Sequence, residues 1–197
     1  MRTPETMADA RRALEICNAC RYCEGFCAVF PAMELRREFA AADLQYLANL
    51  CHNCRSCYYS CQYAPPHEFG LNLPRTLAEL RAVTYAEYSW PGALSRLFQR
   101  NGLVVGLALG LGIAAVLLLT VLLQPAQVLY AAHQDPGAFY AVIPYGAMVG
   151  VAGVTFGFAL LAMFVSTARF WRRTGSGGVP TPRAWLGAAG DVLTLRN

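Results

Sequence analysis

The chain has 197 residues, of which 56% are hydrophobic and 14% are charged, whereas soluble domains carry about 25% charged residues. Its formal net charge is +4, and all sixteen basic residues are arginine. Most of this positive charge lies beside apolar segments, so it does not predict nucleic-acid binding. The charge deficit falls in the second half, where Asp135 is the one charged residue between Arg100 and Arg169. We therefore expect a small soluble domain followed by a membrane-embedded half.

The N-terminal part reads as helical throughout. Thr3-Pro4 supplies an N-cap and an N1 proline, which predicts a helix over residues 3–16. A second helix is predicted over residues 32–50, where leucines form an irregular apolar face. No alternating strand pattern occurs in this half. The pattern favours an all-α domain over the mixed α/β fold of small ferredoxins.

Two copies of one cysteine spacing adjoin these helices and use all eight cysteines of the chain. The copies are Cys17-x2-Cys20-x2-Cys23-x3-Cys27 and Cys51-x2-Cys54-x2-Cys57-x3-Cys61. This dense thiolate spacing is typical of [4Fe–4S] clusters, which need one thiolate for each iron. Zinc sites favour pairs separated by a longer loop, and disulfide frameworks suit short secreted chains. The N-terminus also lacks the apolar segment of a cleavable signal peptide. We expect two [4Fe–4S] clusters.

The ligand assignment follows from a rule for paired motifs. When two such motifs occur, the fourth cysteine of each usually ligates the cluster of the other. The first cluster is therefore predicted to bind Cys17, Cys20, Cys23 and Cys61. The second cluster is predicted to bind Cys51, Cys54, Cys57 and Cys27. Proline does not follow Cys27 or Cys61 directly, unlike in many small ferredoxins.

A further helix is predicted between the second motif and the first apolar run. It covers residues 75–89, after Pro74 and before Pro91. Two roles stay open for this helix and for the apolar, aromatic strip that follows it, which contains Trp90, Leu94, Leu97 and Phe98. It either packs on the cluster domain or lies at the membrane interface, where Tyr and Trp concentrate.

Two uncharged runs are long enough to cross a bilayer core of about 30 Å. They cover residues 102–123 and 145–168, and a proline-containing loop joins them. Arginines precede the first run and follow the second, whereas the loop contains neither Lys nor Arg. The positive-inside rule then predicts that both termini are cytoplasmic. Glycines at four-residue spacing in both runs favour close helix packing.

The predicted organisation therefore has four parts. Residues 1–72 form an α-helical [4Fe–4S] ferredoxin-type domain, and 73–101 form connecting or interfacial helices. Residues 102–172 form a two-helix transmembrane hairpin. Residues 173–197 form a cytoplasmic linker, rich in glycine at 175–178, and a short helix begun by Thr181-Pro182.

The remaining residues do not predict an independent active site. The chain contains no Gly-rich nucleotide fingerprint and no nucleophile elbow. Neither apolar run contains histidine, the common axial ligand of a membrane haem. Haem b is therefore expected only with a further C-terminal region or a partner. His52, between Cys51 and Asn53, can tune a cluster or simply pack beside it.

Both cysteine blocks, read with their flanks, resemble a known family. The stretches are Cys-Asn-Ala-Cys-Arg-Tyr-Cys-Glu-Gly-Phe-Cys-Ala-Val-Phe-Pro (17–31), Leu-Cys-His-Asn-Cys-Arg-Ser-Cys-Tyr-Tyr-Ser-Cys-Gln-Tyr-Ala-Pro-Pro-His-Glu-Phe (50–69) and Leu-Pro-Arg-Thr-Leu-Ala-Glu-Leu-Arg (73–81). They resemble the tricarballylate utilisation protein B family, also known as the CitB-type citrate-utilisation family. The membrane half of fused flavin, iron–sulfur and haem proteins of cobalamin synthesis is similar. Members usually continue past position 197 into His-containing membrane helices, a region that we expect this chain to lack.

The resemblance implies a function. Such proteins reoxidise the reduced FAD of a cytoplasmic partner dehydrogenase that oxidises tricarballylate, and electrons pass into the bacterial inner membrane to a quinone or haem protein. The chain would then be an electron-transfer subunit of an oxidoreductase system rather than a stand-alone enzyme. Two alternatives stay open. One is an iron–sulfur subunit of a heterodisulfide-reductase-like or fumarate-reductase-like complex, and the other is a membrane-bound redox sensor without catalytic throughput.

Overall fold

The structure is a computed structural model that describes residues 3–98, 101–134, 136–175 and 181–194. All regular structure in these ranges is helical, which confirms the predicted all-α fold class. Most of the predicted linker, together with Arg100 and Asp135, lies outside the described residues. The helices are α1 (Thr3–Cys20), α2 (Val29–Glu34), α3 (Ala41–Leu50), α4 (Ser56–Tyr59), α5 (Leu73–Tyr88), α6 (Gly92–Phe98), α7 (Asn101–Leu123), α8 (Ala126–Leu129), α9 (Phe139–Val142), α10 (Tyr145–Thr174) and α11 (Pro182–Leu193).

The chain divides into two compact units. The first unit comprises Met1–Tyr88 and Ala168–Asn197, and the second comprises Ser89–Thr167. In the first unit, α1, α3 and α5 pack around one hydrophobic core. Leucines from all three helices are fully buried there, among them Leu14, Leu44, Leu47, Leu77 and Leu80. Burial of each such side chain contributes roughly 1.5–3 kcal/mol before the entropy of ordering is counted.

Helix α1 is longer than the predicted 3–16 segment. It continues through Cys17 and Cys20 and ends where Arg21 adopts a left-handed conformation with φ of 54°. Ala19 and the two cysteines do not stop a helix, so the motif alone could not mark this boundary. Because Cys17 and Cys20 are three residues apart in a helix, their side chains leave the same face.

The predicted helix over 32–50 is wrong as one element, because the structure divides it into α2 and α3. The division occurs at Ala40, whose backbone is extended with ψ of 163°. Asp43 stabilises the new helix start, since its carboxylate accepts a hydrogen bond of 3.2 Å from the Ala40 N–H. Arg36 binds the same carboxylate with a 2.5 Å contact. Phe39, at the break, is thereby buried in the core.

Polar groups buried between α3 and α5 are paired. The Tyr88 hydroxyl donates to Gln45 Oε1 at 2.6 Å, and Asn49 Nδ2 donates to Thr84 Oγ1 at 2.9 Å. Buried polar groups without partners would cost stability, so these bonds favour one register of α5 on α3. For α5, therefore, the structure shows packing within the cluster domain.

The second unit is built around α7 and the greater part of α10. Both helices are long and apolar enough to cross a membrane, over Gly102–Leu123 and Tyr145–Thr174, and their most apolar windows bury no residue. The Trp90 N–H donates to Ser166 Oγ at 3.0 Å, and the Trp90 ring lies 6.0 Å from Phe158. The predicted loop contains two single helical turns, α8 and α9.

The glycines of α7 and α10 have open space where a side chain would lie. A Cβ built on any of Gly102, Gly106, Gly110, Gly150 or Gly157 would meet nothing within 4 Å. The predicted close packing of these glycine faces is therefore not formed within this chain's described residues. At the far end of the chain, the predicted short helix is confirmed as α11, where Thr181 Oγ1 accepts from the Ala184 N–H.

Candidate cluster site

The two cysteine blocks share a backbone shape. In each block the arginine after the second cysteine is left-handed, Arg21 with φ of 54° and Arg55 with φ of 64°. This conformation costs a residue with a side chain roughly 1–2 kcal/mol, so a repeated occurrence marks a turn that the surrounding fold enforces. Each turn continues into short backbone hydrogen bonds, Glu24 N–H to Arg21 O at 3.1 Å and Tyr58 N–H to Arg55 O at 2.9 Å. Each cysteine motif therefore contains a tight backbone turn after its second cysteine.

The first three cysteines of the first block meet the last cysteine of the second. Burial raises the pKa of Cys17 to about 12, and repulsion from Cys61 is the largest electrostatic contribution to that rise. The pKa of Cys23 is also raised, mainly by burial and then by Cys61 and Cys20. Cys61 thus lies beside thiols that precede it by more than thirty positions.

The reciprocal arrangement holds for Cys27. Its pKa is raised by burial, and the thiols that raise it further are Cys51 and Cys54 of the second block. Burial raises the pKa of Cys57 to about 12, and Cys23 of the first block contributes the largest repulsion, followed by Cys27, Cys51 and Cys54. Cys57 also interacts with Cys23 and Cys17, so it lies between the two groups. Cys17 lies on α1 and Cys57 on α4, whereas Cys23, Cys27, Cys51 and Cys54 lie outside the helices.

A pocket that is partly open to solvent is lined by Cys17, Cys20, Cys23 and Cys61. Cys57 contributes to the same wall, and Tyr22, Phe30, Tyr63 and Leu71 make the rest largely apolar. An apolar wall excludes water from a bound group, and thiols there resist losing their protons without a cation. The high pKa values of Cys17 and Cys57 show this resistance. Iron would supply the missing positive charge, so the donor set and its surroundings fit an iron–sulfur group.

The thiols do not converge on one point. Within the described ranges, no three Cys, His, Asp or Glu side chains lie close enough together to hold a single metal ion. A zinc site requires such convergence, with each sulfur about 2.3 Å from one ion. In a cubane each thiolate binds a different iron, so the four sulfurs are spread around the group. The dense spacing of the motifs, rather than the positions of the sulfurs, favours the cubane.

Among the residues outside the predicted ligand set that contact the cysteines, Gln62 and Arg81 do so through long side chains. Gln62 Nε2 donates to Cys20 Sγ at 3.7 Å, and Arg81 Nη1 donates to the Cys51 carbonyl at 2.6 Å. Sequence reasoning assigned them no role at the site. Gln62 directly follows Cys61, which is a signal of proximity, whereas Arg81 lies 30 positions from Cys51. Only the packing of α5 brings that guanidinium to the motif.

The histidines lie elsewhere or at the surface. His52 is exposed beside Cys51. His67 Nδ1 accepts from the Phe69 N–H at 3.1 Å and stacks edge-on against Tyr63. In the second unit, His133 Nε2 contacts the Val128 carbonyl at 2.6 Å.

Two family models match the chain. The Citrate utilization protein B Fer4-like domain matches residues 10–87, and Citrate utilization protein B matches residues 96–197. The Fer4-like match indicates iron–sulfur cluster binding. A curated relative, Citrate utilization protein B from Escherichia coli, is 43% identical over 193 residues, which cover 98% of this chain and 50% of the relative. The chain thus spans about half the length of that relative. No solved structure matches the chain.

Proposed function

Because this chain belongs to the citrate utilization protein B family, we propose that it is a membrane-anchored iron–sulfur electron-transfer protein. It would reoxidise the reduced flavin of a tricarballylate-type partner dehydrogenase and deliver the electrons into the membrane. The observation that carries this proposal is the exchange of cysteines between the two blocks, Cys61 toward Cys17 and Cys27 toward Cys51. A chain that only tethers a domain has no need of eight clustered thiols.

The proposed cofactors are two [4Fe–4S] clusters. Cys17, Cys20, Cys23 and Cys61 would hold the first, and Cys51, Cys54, Cys57 and Cys27 the second. The repulsion of Cys61 on Cys17 and Cys23, and of Cys51 and Cys54 on Cys27, supports the exchange of the fourth cysteines, whereas Cys57 interacts with thiols of both sets. The apolar pocket wall beside the first set would keep water away from it.

The electron balance suits a flavin partner. Oxidation of a fully reduced flavin releases two electrons, and a quinone acceptor takes up two electrons with two protons. When bound, each cluster accepts and releases one electron at a time, so two clusters can accommodate one flavin oxidation. The residues of this chain hold the thiolates in place, exclude water and donate hydrogen bonds to the sulfurs.

We propose that α7 and α10 span the bacterial inner membrane and that both termini are cytoplasmic. Their length and apolar composition support the spans, and the arginines outside the loop support the orientation. In this arrangement the cluster domain faces a cytoplasmic FAD-dependent dehydrogenase. The domain limits at 72, 101 and 172 stay predictions.

The onward acceptor is proposed to be a quinone or a haem protein. Neither apolar run contains histidine, so the proposal assigns no haem b to α7 or α10. A heterodisulfide-reductase-like or fumarate-reductase-like assembly would instead require a catalytic partner with that chemistry.

The first test is the cofactor content of anaerobically purified protein. Two clusters require about eight iron and eight acid-labile sulfide per chain, with EPR signals that appear on reduction by dithionite. Zinc without sulfide would contradict the proposal.

The second test is electron transfer itself. Photoreduced tricarballylate dehydrogenase is mixed with vesicles that contain this protein and a quinone, and flavin absorbance is followed anaerobically. We expect fast reoxidation only with cluster-loaded protein. Vesicles with the Cys57→Ala variant are the control, since they keep the apolar helices and lose a ligand. Equal rates in both samples would reject the proposed role.

A further inference from the structure

Arg81 is held against the second cysteine block by the core of the first unit. It lies on α5, where its neighbours Leu77 and Leu80 are fully buried. Its half-buried guanidinium donates a 2.6 Å hydrogen bond to the carbonyl of Cys51. A bond of this length from a charged donor is strong, and partial burial limits its screening by water. A fixed positive charge therefore lies beside one of the two predicted ligand sets.

The first block has an arginine in a related place, but it is exposed. Arg21 Nε donates at 3.0 Å to the carbonyl of Asn18, between Cys17 and Cys20. Water surrounds this side chain, so its charge acts on nearby groups with a high effective dielectric. Arg81 thus places a half-buried charge at the second cysteine block, whereas Arg21 places an exposed charge at the first.

Hydrogen-bond donors are also distributed unequally. In the second set, the Asn53 N–H points at Cys51 Sγ at 3.4 Å, and the N–H and hydroxyl of Ser56 both donate to the Cys54 sulfur. The first set receives the 3.7 Å bond from Gln62 to Cys20. Among the eight cysteines, all of which the structure describes, Cys54 is the exposed one. Donors, nearby positive charge and solvent access all stabilise the added negative charge of a reduced cluster.

We propose that Arg81 makes the second cluster, held by Cys27, Cys51, Cys54 and Cys57, the one with the higher reduction potential. This inference rests on the proposed function, because it requires both clusters to be bound. Arg81 is a positioning residue that acts through the Cys51 backbone and through its charge. The asymmetry gives the chain one site that is reduced first and one that is reduced last.

Potentiometric EPR titration of anaerobic, full-length protein tests the proposal. Arg81→Gln removes the charge, and we expect the second cluster's midpoint potential to fall. A tenfold change in its oxidised-to-reduced ratio at fixed potential corresponds to about 59 mV for one electron. Arg81→Lys keeps a positive charge on a different donor, so it should shift less. The matched control, Arg21→Gln, removes the exposed arginine and should leave both potentials within a fraction of that shift.

A ligand variant identifies which signal belongs to the second cluster. Cys54→Ser replaces the exposed sulfur with oxygen and should alter the EPR signal of that cluster alone. With this assignment, the second cluster of the unmodified protein should be reduced first. This measurement keeps Arg81 in place, so it decides the order even if Arg81→Gln fails to hold its cluster.

Three results would overturn the inference. The first is that the second cluster is reduced last. The second is that the Arg81→Gln variant holds both clusters with unchanged potentials. The third is that Arg21→Gln shifts a potential as far as Arg81→Gln does. Absence of iron and sulfide from the unmodified protein would instead reject the proposed function, so the two failures are distinguishable.

Discussion

The two units contain the same apolar residue types and use them in opposite ways. In the first unit Leu77 is fully buried between helices, whereas Leu118 of α7 in the second unit is 59% exposed. The apolar windows of α7 and α10 bury none of their residues. Burial in a core requires a partner surface from the same chain, and the first unit finds it by packing α1, α3 and α5 together. The exposed apolar windows of α7 and α10 support their proposed role as membrane spans.

Loss of the proposed clusters should produce the largest difference between the two units. Cys57 lies between the two thiol groups, so Cys57→Ala should prevent normal cluster assembly and unfold the first unit, while α7 and α10 stay helical in detergent. Structural zinc contributes about 10–16 kcal/mol to comparable small domains, which sets the scale of the effect. Iron content and circular dichroism report both parts. Full iron content with unchanged melting would show that the domain does not depend on its cofactor.

Matched leucine truncations should separate the two kinds of apolar residue. Leu77→Ala leaves a cavity in the core and should lower the free energy of unfolding by about 2–5 kcal/mol. Leu118→Ala removes an exposed side chain and should change it by less than about 0.5 kcal/mol. Thermal unfolding of purified protein in detergent, followed by cluster absorbance, measures both. Similar losses in the two variants would mean that α7 is packed against protein.

An introduced arginine should harm the second unit and leave the first unit unaffected. Leu111→Arg places a guanidinium near the middle of α7, where insertion into the membrane is disfavoured by about 2.5–3.5 kcal/mol. Tyr85→Arg makes the corresponding change on the exposed face of α5 and should not affect insertion. Carbonate extraction of membranes gives the inserted fraction. Complete insertion of Leu111→Arg would contradict the assignment of α7 as a span.

The smallest expected effect concerns the start of α3. Asp43→Ala removes the acceptor of the Ala40 N–H and the partner of Arg36, so it should cost about 1 kcal/mol. For a domain of this size that corresponds to a fall of about 4–8 °C in Tm. The exposed Glu38 supplies the control, since Glu38→Ala should leave Tm nearly unchanged. Equal Tm values for both variants would show that the core alone determines the break between α2 and α3.

Local patterns were enough to predict much of this molecule. The cysteine spacing predicted iron–sulfur chemistry, and the apolar runs predicted α7 and α10 closely, because both features depend on residues near each other in the chain. The prediction of a single helix over 32–50 was wrong because its break depends on contacts that the local pattern does not show. Its break depends on Asp43 capping and on burial of Phe39, and neither is visible in the leucine periodicity. The crossed ligation stays a prediction, supported by the positions of Cys61 and Cys27.

The sequence by itself determined the helical class, the two thiol-rich motifs and the two apolar runs, since each follows from spacing or composition within a short segment. Only the tertiary structure decided that α5 packs against α1 and α3. That packing carries Arg81 to Cys51. Such contacts join residues 30 or more positions apart, and their energies depend on the fit of whole helices, which no local pattern specifies.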